Sequence, residues 1–456
     1  MVLLLSTYDL GRQPFGLASA AAALKADGRD VVCADLSKER LDPALVGRAD
    51  AVAFFLPMHT ATRLAMPVID RVHELNPSAR LVAYGLYAPL NARLLREHGV
   101  AAIVGGEFEE DLVRAVAGEP ASAQSDAFVV PRVAFRVPDR TGLLPLTEYA
   151  TLHVGTDRKT VGYTEASRGC KHRCRHCPIV PVYDGRFRVV PIDIIVADIR
   201  AQVAAGATHI TFGDPDFFNG IGHATALVER FSREFSSLTY DVTIKIEHLL
   251  KHASALPRLR DTGCTFVTSA VEAVDDTVLA ALEKGHTRAD FEAVATTCRE
   301  ISLTLSPTFV AFTPWTTLTG YCELLQTIDR LELVDHVAPI QLAIRLLVTA
   351  ESRLLELSAV RDVIGSFSPR SLTYPWTHAD PRVDALQAEV ESMVGANQTA
   401  SRRDLFDRIW VTAHRAAGTP APDRLDRGGS ERPPIPFLSE PWYCCAEPST
   451  EQLRLV

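Results

Sequence analysis

The stretch Ala166-Ser-Arg-Gly-Cys170-Lys-His-Arg-Cys174-Arg-His-Cys177-Pro178 sets three cysteines at spacings of four and three behind a strand-like run and a glycine. Thiolates are soft ligands that select iron–sulfur clusters, zinc or Cu(I). A structural zinc site wants a fourth ligand, usually from a second paired motif, and no second C-x-x-C occurs in the chain. His172 or His176 would complete such a site, although four ligands within eight residues is compact for a zinc module. Three thiolates on a cubane cluster leave one iron open, and an open metal position is where chemistry happens. An electron-transfer cluster, or three cysteines buried as small apolar residues, are the remaining readings.

The rest of the chain is compatible with an enzyme. At 456 residues it exceeds what one hydrophobic core usually serves, so two or three domains are expected. A formal net charge of −9 argues against a general nucleic-acid binder. No stretch reaches the roughly 18 apolar residues of a membrane span. The opening Met-Val-Leu-Leu-Leu-Ser lacks the basic start and length of a signal segment. Nine cysteines, an odd number, then point to reduced thiols and a cytoplasmic location.

Taken in order, residues 1–118 read as a doubly wound α/β domain. Short apolar runs at Val2–Ser6, Val31–Ala34, Ala51–Leu56, Leu81–Tyr84 and Ala101–Val104 alternate with helical segments. That alternation implies a parallel sheet with its ligand crevice at the strands' C-terminal ends, near Thr7, Tyr8, Asp9, Pro57, His59, Thr60, Gly85 and Glu107. Residues 119–160 read as a linker with a strand leading into the barrel. From 161 to 347 strands and helices alternate as a partial (β/α)6 barrel requires. Its six strands are expected at Gly162–Ser167, His209–Gly213, Val242–Ile246, Thr265–Ala270, Leu303–Phe312 and His336–Leu347. Asp214, Asp216, Glu247 and Glu272 would then gather with the cysteine loop at one end of the barrel. Arg345, inside the sixth apolar run, needs a partner or a ligand carboxylate, because burying it unpaired is costly. Cys33, Cys264, Cys298 and Cys322 sit in apolar contexts and read as core. Residues 348–456 read as two helical segments and a proline-rich arm ending in Pro441-Trp-Tyr-Cys444-Cys445-Ala-Glu-Pro448.

The C-x3-C-x2-C spacing closely resembles that of the radical S-adenosylmethionine (SAM) enzymes. The resemblance implies that Cys170, Cys174 and Cys177 ligate a 4Fe-4S cluster whose free iron holds SAM. It also implies that Gly213-Asp214-Pro215 lies where the family keeps the SAM ammonium, with Asp216 as a second candidate. Glu272, followed by Lys284-Gly-His-Thr287, resembles the family's fourth-strand motif. It departs from the usual E-S-G-S, having Glu272-Ala-Val-Asp275, which puts the ribose contact in doubt. Lys245 and Glu247, on the third strand, are placed to touch SAM or substrate or simply to pack.

Phe15–Leu24 and Val104–Glu110 resemble the cobalamin-binding domain that precedes the barrel in one radical SAM class. The chain lacks D-x-H-x-x-G, so no histidine replaces cobalamin's lower base. Cobalamin is therefore a candidate cofactor, and a vestigial packing domain the alternative.

The Cys-Cys-Ala-Glu-Pro end resembles the CUAEP/CCAEP-tail radical SAM proteins, which implies a role for Cys444 and Cys445 with a soft, thiophilic partner. Three functions follow. The first is transfer of a SAM-derived group to a small-molecule or metalloid acceptor, such as arsenic or selenium, held by Cys444 and Cys445. The second is cobalamin-dependent methylation, and the third a non-catalytic iron–sulfur or zinc regulator. An electron donor such as flavodoxin or ferredoxin would serve the first two.

Overall fold

A computed structural model describes residues 1–119, 133–397, 400–424 and 435–440. The expected linker residues Val129–Pro131 and the Cys444-Cys445 pair lie outside the described residues.

The N-terminal part is a five-stranded parallel sheet in the order β2-β1-β3-β4-β5. Its strands are β1 (Val2–Ser6), β2 (Val31–Asp35), β3 (Ala51–Phe55), β4 (Arg80–Tyr84) and β5 (Ala102–Val104). The apolar runs show why it is covered on both faces. Leu3, Leu5, Val52, Phe54, Leu81 and Ala83 point to one helical layer. Val2, Leu4, Ala53, Phe55, Val82 and Tyr84 point to the other, where the helices Phe15–Ala26 and Glu109–Ala117 lie. The strand order reverses between β1 and β3, which is where such sheets open a crevice.

The second sheet has seven strands, β13-β12-β11-β10-β7-β6-β14. Five of them, β7 (Asp157–Thr164), β10 (His209–Phe212), β11 (Thr239–Thr243), β12 (Cys264–Glu272) and β13 (Thr304–Phe309), run parallel as a curled half-barrel. β6 (Thr151–Val154) and β14 (Phe437–Leu438) extend its edge antiparallel. A separate hairpin pairs β8 (Ser167–Gly169) with β9 (Phe187–Val189). Helices cover the convex face, and the helices Pro381–Ala396 and Arg402–Ala417 join that same core through Val383, Leu386, Phe406 and Trp410. The C-terminal helices therefore belong to the barrel's packing.

Two expectations shift. The sixth strand is reduced to one parallel bridge, Phe312 to Arg345. Pro339 removes a ladder donor there, and the segment winds into two 3-10 turns, Val334–His336 and Pro339–Leu342. The third strand lies three residues earlier than expected. Asp241, inside that strand, is held by His209 Nε2 (2.8 Å) and the Thr211 hydroxyl (2.6 Å). Ile246, Leu249 and Leu250 follow a helical period, so Ile246–Lys251 is a helix that carries Glu247 and His248. The stretch expected as linker and strand contains β6 and the start of β7. Among the described residues no helix is long and apolar enough to cross a membrane.

Candidate active site

The cysteine loop leaves the half-barrel at the C-terminal end of β7 and is framed by the β8–β9 hairpin. Gly169, at φ +75°, must be glycine, since a Cβ there would lie 2.5 Å from the Arg186 carbonyl oxygen and 2.4 Å from the Tyr183 ring. Cys170 and Cys174 are buried and Cys177 is partly so. Burial raises the Cys170 thiol above its usual range and, with Cys174 nearby, pushes Cys177 up to about 12. Lys245 and Lys284 offset this only in part, and a bound metal would supply the positive charge that favours the thiolates.

Each neighbouring strand end braces the loop. After β10, Asp214 accepts the Ala166 N–H (2.9 Å) and the Ser167 hydroxyl. Asn219 accepts the Lys171 N–H (3.3 Å), donates to the Gly169 carbonyl (3.3 Å) and lies 3.8 Å from Cys170 Sγ. After β11, the Lys245 ammonium donates to Cys174 Sγ at 3.6 Å. After β12, Glu272 Oε1 pairs with His176 Nε2 (3.0 Å) and Lys284 Nζ (3.2 Å). Burial would push the Glu272 carboxyl up, but Lys284 and His176 outweigh it and hold it far below the usual range. Glu272 also adopts φ +72°, a strained conformation for a glutamate and a mark of functional sites.

The expected site residues separate accordingly. Lys245, Glu247, Asp216 and Glu272 all come to the loop. Gly285, at φ +75°, lets Glu247 in, because a Cβ there would stand 2.7 Å from Glu247 Oε2. Asp214 is buried, each of its oxygens accepts one hydrogen bond from the cysteine loop, and burial pushes its carboxyl up to about 7. It fastens the strand end to the cysteine loop. Gly213 makes room for Tyr163, whose hydroxyl would lie 1.7 Å from a Cβ. Arg345 has the partner that its burial called for. Its guanidinium bonds Asp384 Oδ1 (2.7 Å) and the Trp376 carbonyl (2.7 Å) and stacks on the Trp376 ring at 3.5 Å, clamping the C-terminal helix to the barrel.

Lys245 is placed to tune whatever metal Cys174 holds, because hydrogen bonds to ligating sulfur shift cluster potentials. Lys245→Met is expected to lower the midpoint of a bound cluster by on the order of 50 mV, roughly a tenfold bias on a one-electron couple. A redox titration followed by electron paramagnetic resonance measures it, and an unchanged midpoint would return Lys245 to packing.

The sequence reading missed Arg168. This buried arginine pairs with Glu165 (2.7 Å), Glu109 (2.7 Å) and Glu107 (3.6 Å), and so joins the cysteine hairpin to the β5 end of the first sheet. Val182 and Tyr183, just past the cysteines, enter the core of that first sheet beside Tyr8, Leu56 and Tyr87. Arg140 adds a second tie, bonding Asp198 (2.8 Å), Gln13 (2.7 Å) and the Tyr163 carbonyl (2.7 Å). The C-terminal edges of both sheets therefore face one another across the cysteine loop.

The donor set fits a 4Fe-4S cluster: three thiols from one braced loop, with a lysine ammonium against one sulfur. Polar atoms also line the crevice, Glu107 Oε2 among them with only the Arg168 guanidinium at 3.6 Å for company. Ser6 Oγ, at the end of β1, and Glu107 Oε2, after β5, are buried with no hydrogen-bond partner. Burial, only partly offset by Arg168, pushes the Glu107 carboxyl up to about 7.

Comparison with known proteins agrees with this geometry. Residues 164–314 match the Radical SAM superfamily. A ribosomal protein uS12 methylthiotransferase from Parabacteroides distasonis is 27% identical over 192 residues, 39% of this chain and 43% of that protein. The chain thus matches less than half the length of that curated relative. Among solved structures, the cobalamin-dependent SAM radical enzyme OxsB with aqua-cobalamin and SAM bound superposes with a TM-score of 0.70 at 12% identity, covering 91% of this chain and 71% of that one. The radical SAM methyltransferase TsrM from Kitasatospora setae, with cobalamin and a [4Fe-4S] cluster bound, gives 0.55 at 18% identity over 73% and 70%. At these identities the likeness is one of fold, and it takes in both sheets. Residues 164–314 are a radical SAM domain, set in a chain that shares its fold with cobalamin-dependent radical SAM enzymes.

Proposed function

We propose that the protein is a transferase that moves a SAM-derived group to a small-molecule or metalloid acceptor held by Cys444 and Cys445. The observation that carries this reading is where the arm is tied down. β14 pairs with β6 at Phe437–His153 and Leu438–Leu152, and Ser439 Oγ accepts the Thr151 N–H at 2.9 Å. Glu440 then reaches the end of β1, where Oε1 takes the Tyr8 hydroxyl at 3.0 Å. Cys444 follows Glu440 by four residues, a reach of at most about 14 Å. Residues 437–440 run from β6 to the end of β1, and in this reading the dithiol that follows them would serve the crevice between the two sheets. A vicinal dithiol there favours a soft acceptor such as trivalent arsenic or selenium.

A bound cluster supplies the electron that cleaves SAM, itself drawn from a flavodoxin- or ferredoxin-like donor. The chain's own residues brace the loop (Asp214, Asn219), set the charge around it (Lys245, Lys284, Glu272) and bring the acceptor to it. A second reading, favoured by the fold shared with OxsB and TsrM, seats cobalamin in the crevice and gives a methyl transfer with the dithiol in a redox role.

Anaerobic turnover with SAM, a reductant and a panel of arsenite, selenite and small metabolites tests the first reading. Removing residues 442–456 is expected to leave SAM cleavage largely intact while transfer falls on the order of 100-fold or more, since the acceptor is no longer held in place. Cys444→Ser should match the truncation. Full product from the serine variants, in protein that co-purifies with cobalamin, would instead give the second reading.

A further inference from the structure

We propose that His172, Asp216 and His248 form a mononuclear site for a divalent transition ion, of the zinc or ferrous type, beside the cysteine loop. The three side chains come from three strand ends: His172 from the cysteine loop, Asp216 from the turn after β10, and His248 from the helix after β11. One ligand atom from each falls within 4.8 Å of the others. His172 Nε2 stands 3.5 Å from Asp216 Oδ2, and His248 Nδ1 stands 2.6 Å from the same oxygen. Asp216 and His248 are at most 1% exposed.

The alternative is a histidine–aspartate triad held by the same short separations. Despite the short separations, His172 Nε2, His248 Nδ1 and Asp216 Oδ2 are all buried with no hydrogen-bond partner. Three buried polar atoms converge on one point, and only the attraction of the two imidazoles for the Asp216 carboxylate offsets their desolvation. Atoms that share a third point, a metal, look like this. Bonds of about 2.0–2.2 Å to such an ion place neighbouring ligand atoms roughly 3–3.5 Å apart, a range that brackets the His172–Asp216 separation of 3.5 Å and lies above the 2.6 Å of His248–Asp216.

The outer contacts also select these atoms. Glu247 Oε2 faces His172 Nδ1 at 3.4 Å, which leaves Nε2 as the lone-pair nitrogen, as a carboxylate behind a metal-bound histidine does. Asp216 Oδ1 accepts the Phe218 N–H at 3.2 Å and turns Oδ2 inward. Two imidazoles and one carboxylate suit zinc with a water, or ferrous iron with open positions, and differ from the thiolate set of the cluster. The ion would tie the cysteine loop to the β10 and β11 ends independently of the cluster, whichever group the enzyme transfers.

Zinc tests this on the full-length, cluster-loaded protein. After incubation with one equivalent of zinc and desalting, elemental analysis is expected to find about one zinc beside about four irons. His248→Gln and Asp216→Asn should each lose the zinc while keeping the iron, and Glu247→Gln should weaken zinc binding about 10- to 100-fold. The double variant Cys444→Ser/Cys445→Ser should keep it. Should a histidine variant fold poorly, cobalt(II) titration of the unaltered protein decides: ligand-field bands saturating at one equivalent without thiolate charge transfer support the site. No zinc and no such bands, or zinc that survives both His248→Gln and Asp216→Asn, would overturn it.

Discussion

Alanine at Cys170, Cys174 or Cys177 is expected to take the anaerobically reconstituted protein from about four irons per chain to nearly none. SAM cleavage should fall to background with it. The three thiols are the only soft donors in the loop, and two of them cannot hold a cubane against the cost of keeping thiolates in a buried site. The fold should survive, because what holds the loop does not run through sulfur. Asp214 bonds Ala166 and Ser167, Asn219 bonds Lys171 and Gly169, the Arg175 N–H bonds the Leu282 carbonyl at 2.9 Å, and His176 meets Glu272. The measurement is iron content and SAM-derived products by mass spectrometry, alongside a melting curve close to that of the unaltered protein. A single-alanine variant that still holds four irons and turns over would remove the cluster from this site.

The parts of the site legible in the sequence were those whose signal is local. The cysteine spacing, the five short apolar runs of the first sheet and the alternation of the barrel each depend on residues adjacent in the chain. The parts that the sequence left open depend on distant partners. Asp214 looked like a ligand because a carboxylate after a strand is a good cation binder, yet its donors, Ala166 and Ser167, lie nearly fifty residues away. Arg345 needed a carboxylate, and the sequence had no means of choosing Asp384 over a ligand. Asp241 broke the apolar pattern of the third strand because its stabilising partners, His209 and Thr211, sit on the neighbouring strand. Pro339 marked the failing sixth strand in plain view. Arg168 was also visible: an arginine between Ser167 and Gly169, two residues before a ligand cysteine, calls for a counter-charge just as Arg345 does.

Replacing Arg168 with methionine is expected to cost about 3–5 kcal/mol, the usual penalty for breaking a buried ion network by removing one partner. Methionine fills much of the same volume against Phe15, Phe108 and Phe135, whose rings lie 5.8, 5.3 and 5.4 Å from the guanidinium carbon. What is lost is the charge that Glu107, Glu109 and Glu165 share. Burial already pushes Glu107 up to about 7 and raises Glu165, with Arg168 pulling both back. Without the cation their carboxyls rise further, and the folded state then binds more protons than the unfolded one between the ordinary carboxylate range and the raised values. Stability lost in this way is recovered as pH falls and deepens as pH rises. The deficit of Arg168→Met should thus be larger at about pH 8 than at about pH 5.5, whereas a packing defect would be insensitive to pH. Arg168→Met combined with Glu109→Gln should regain part of the loss, because one buried charge has been removed with its partner. Denaturant unfolding at the two pH values measures this, with limited proteolysis reporting whether the first sheet separates from the cysteine hairpin before the barrel unfolds. A deficit under about 1 kcal/mol at both pH values would mean that this pair of sheets is held together by Arg140 and the Tyr183 contact instead, and that Arg168 is a solvated surface ion in all but position.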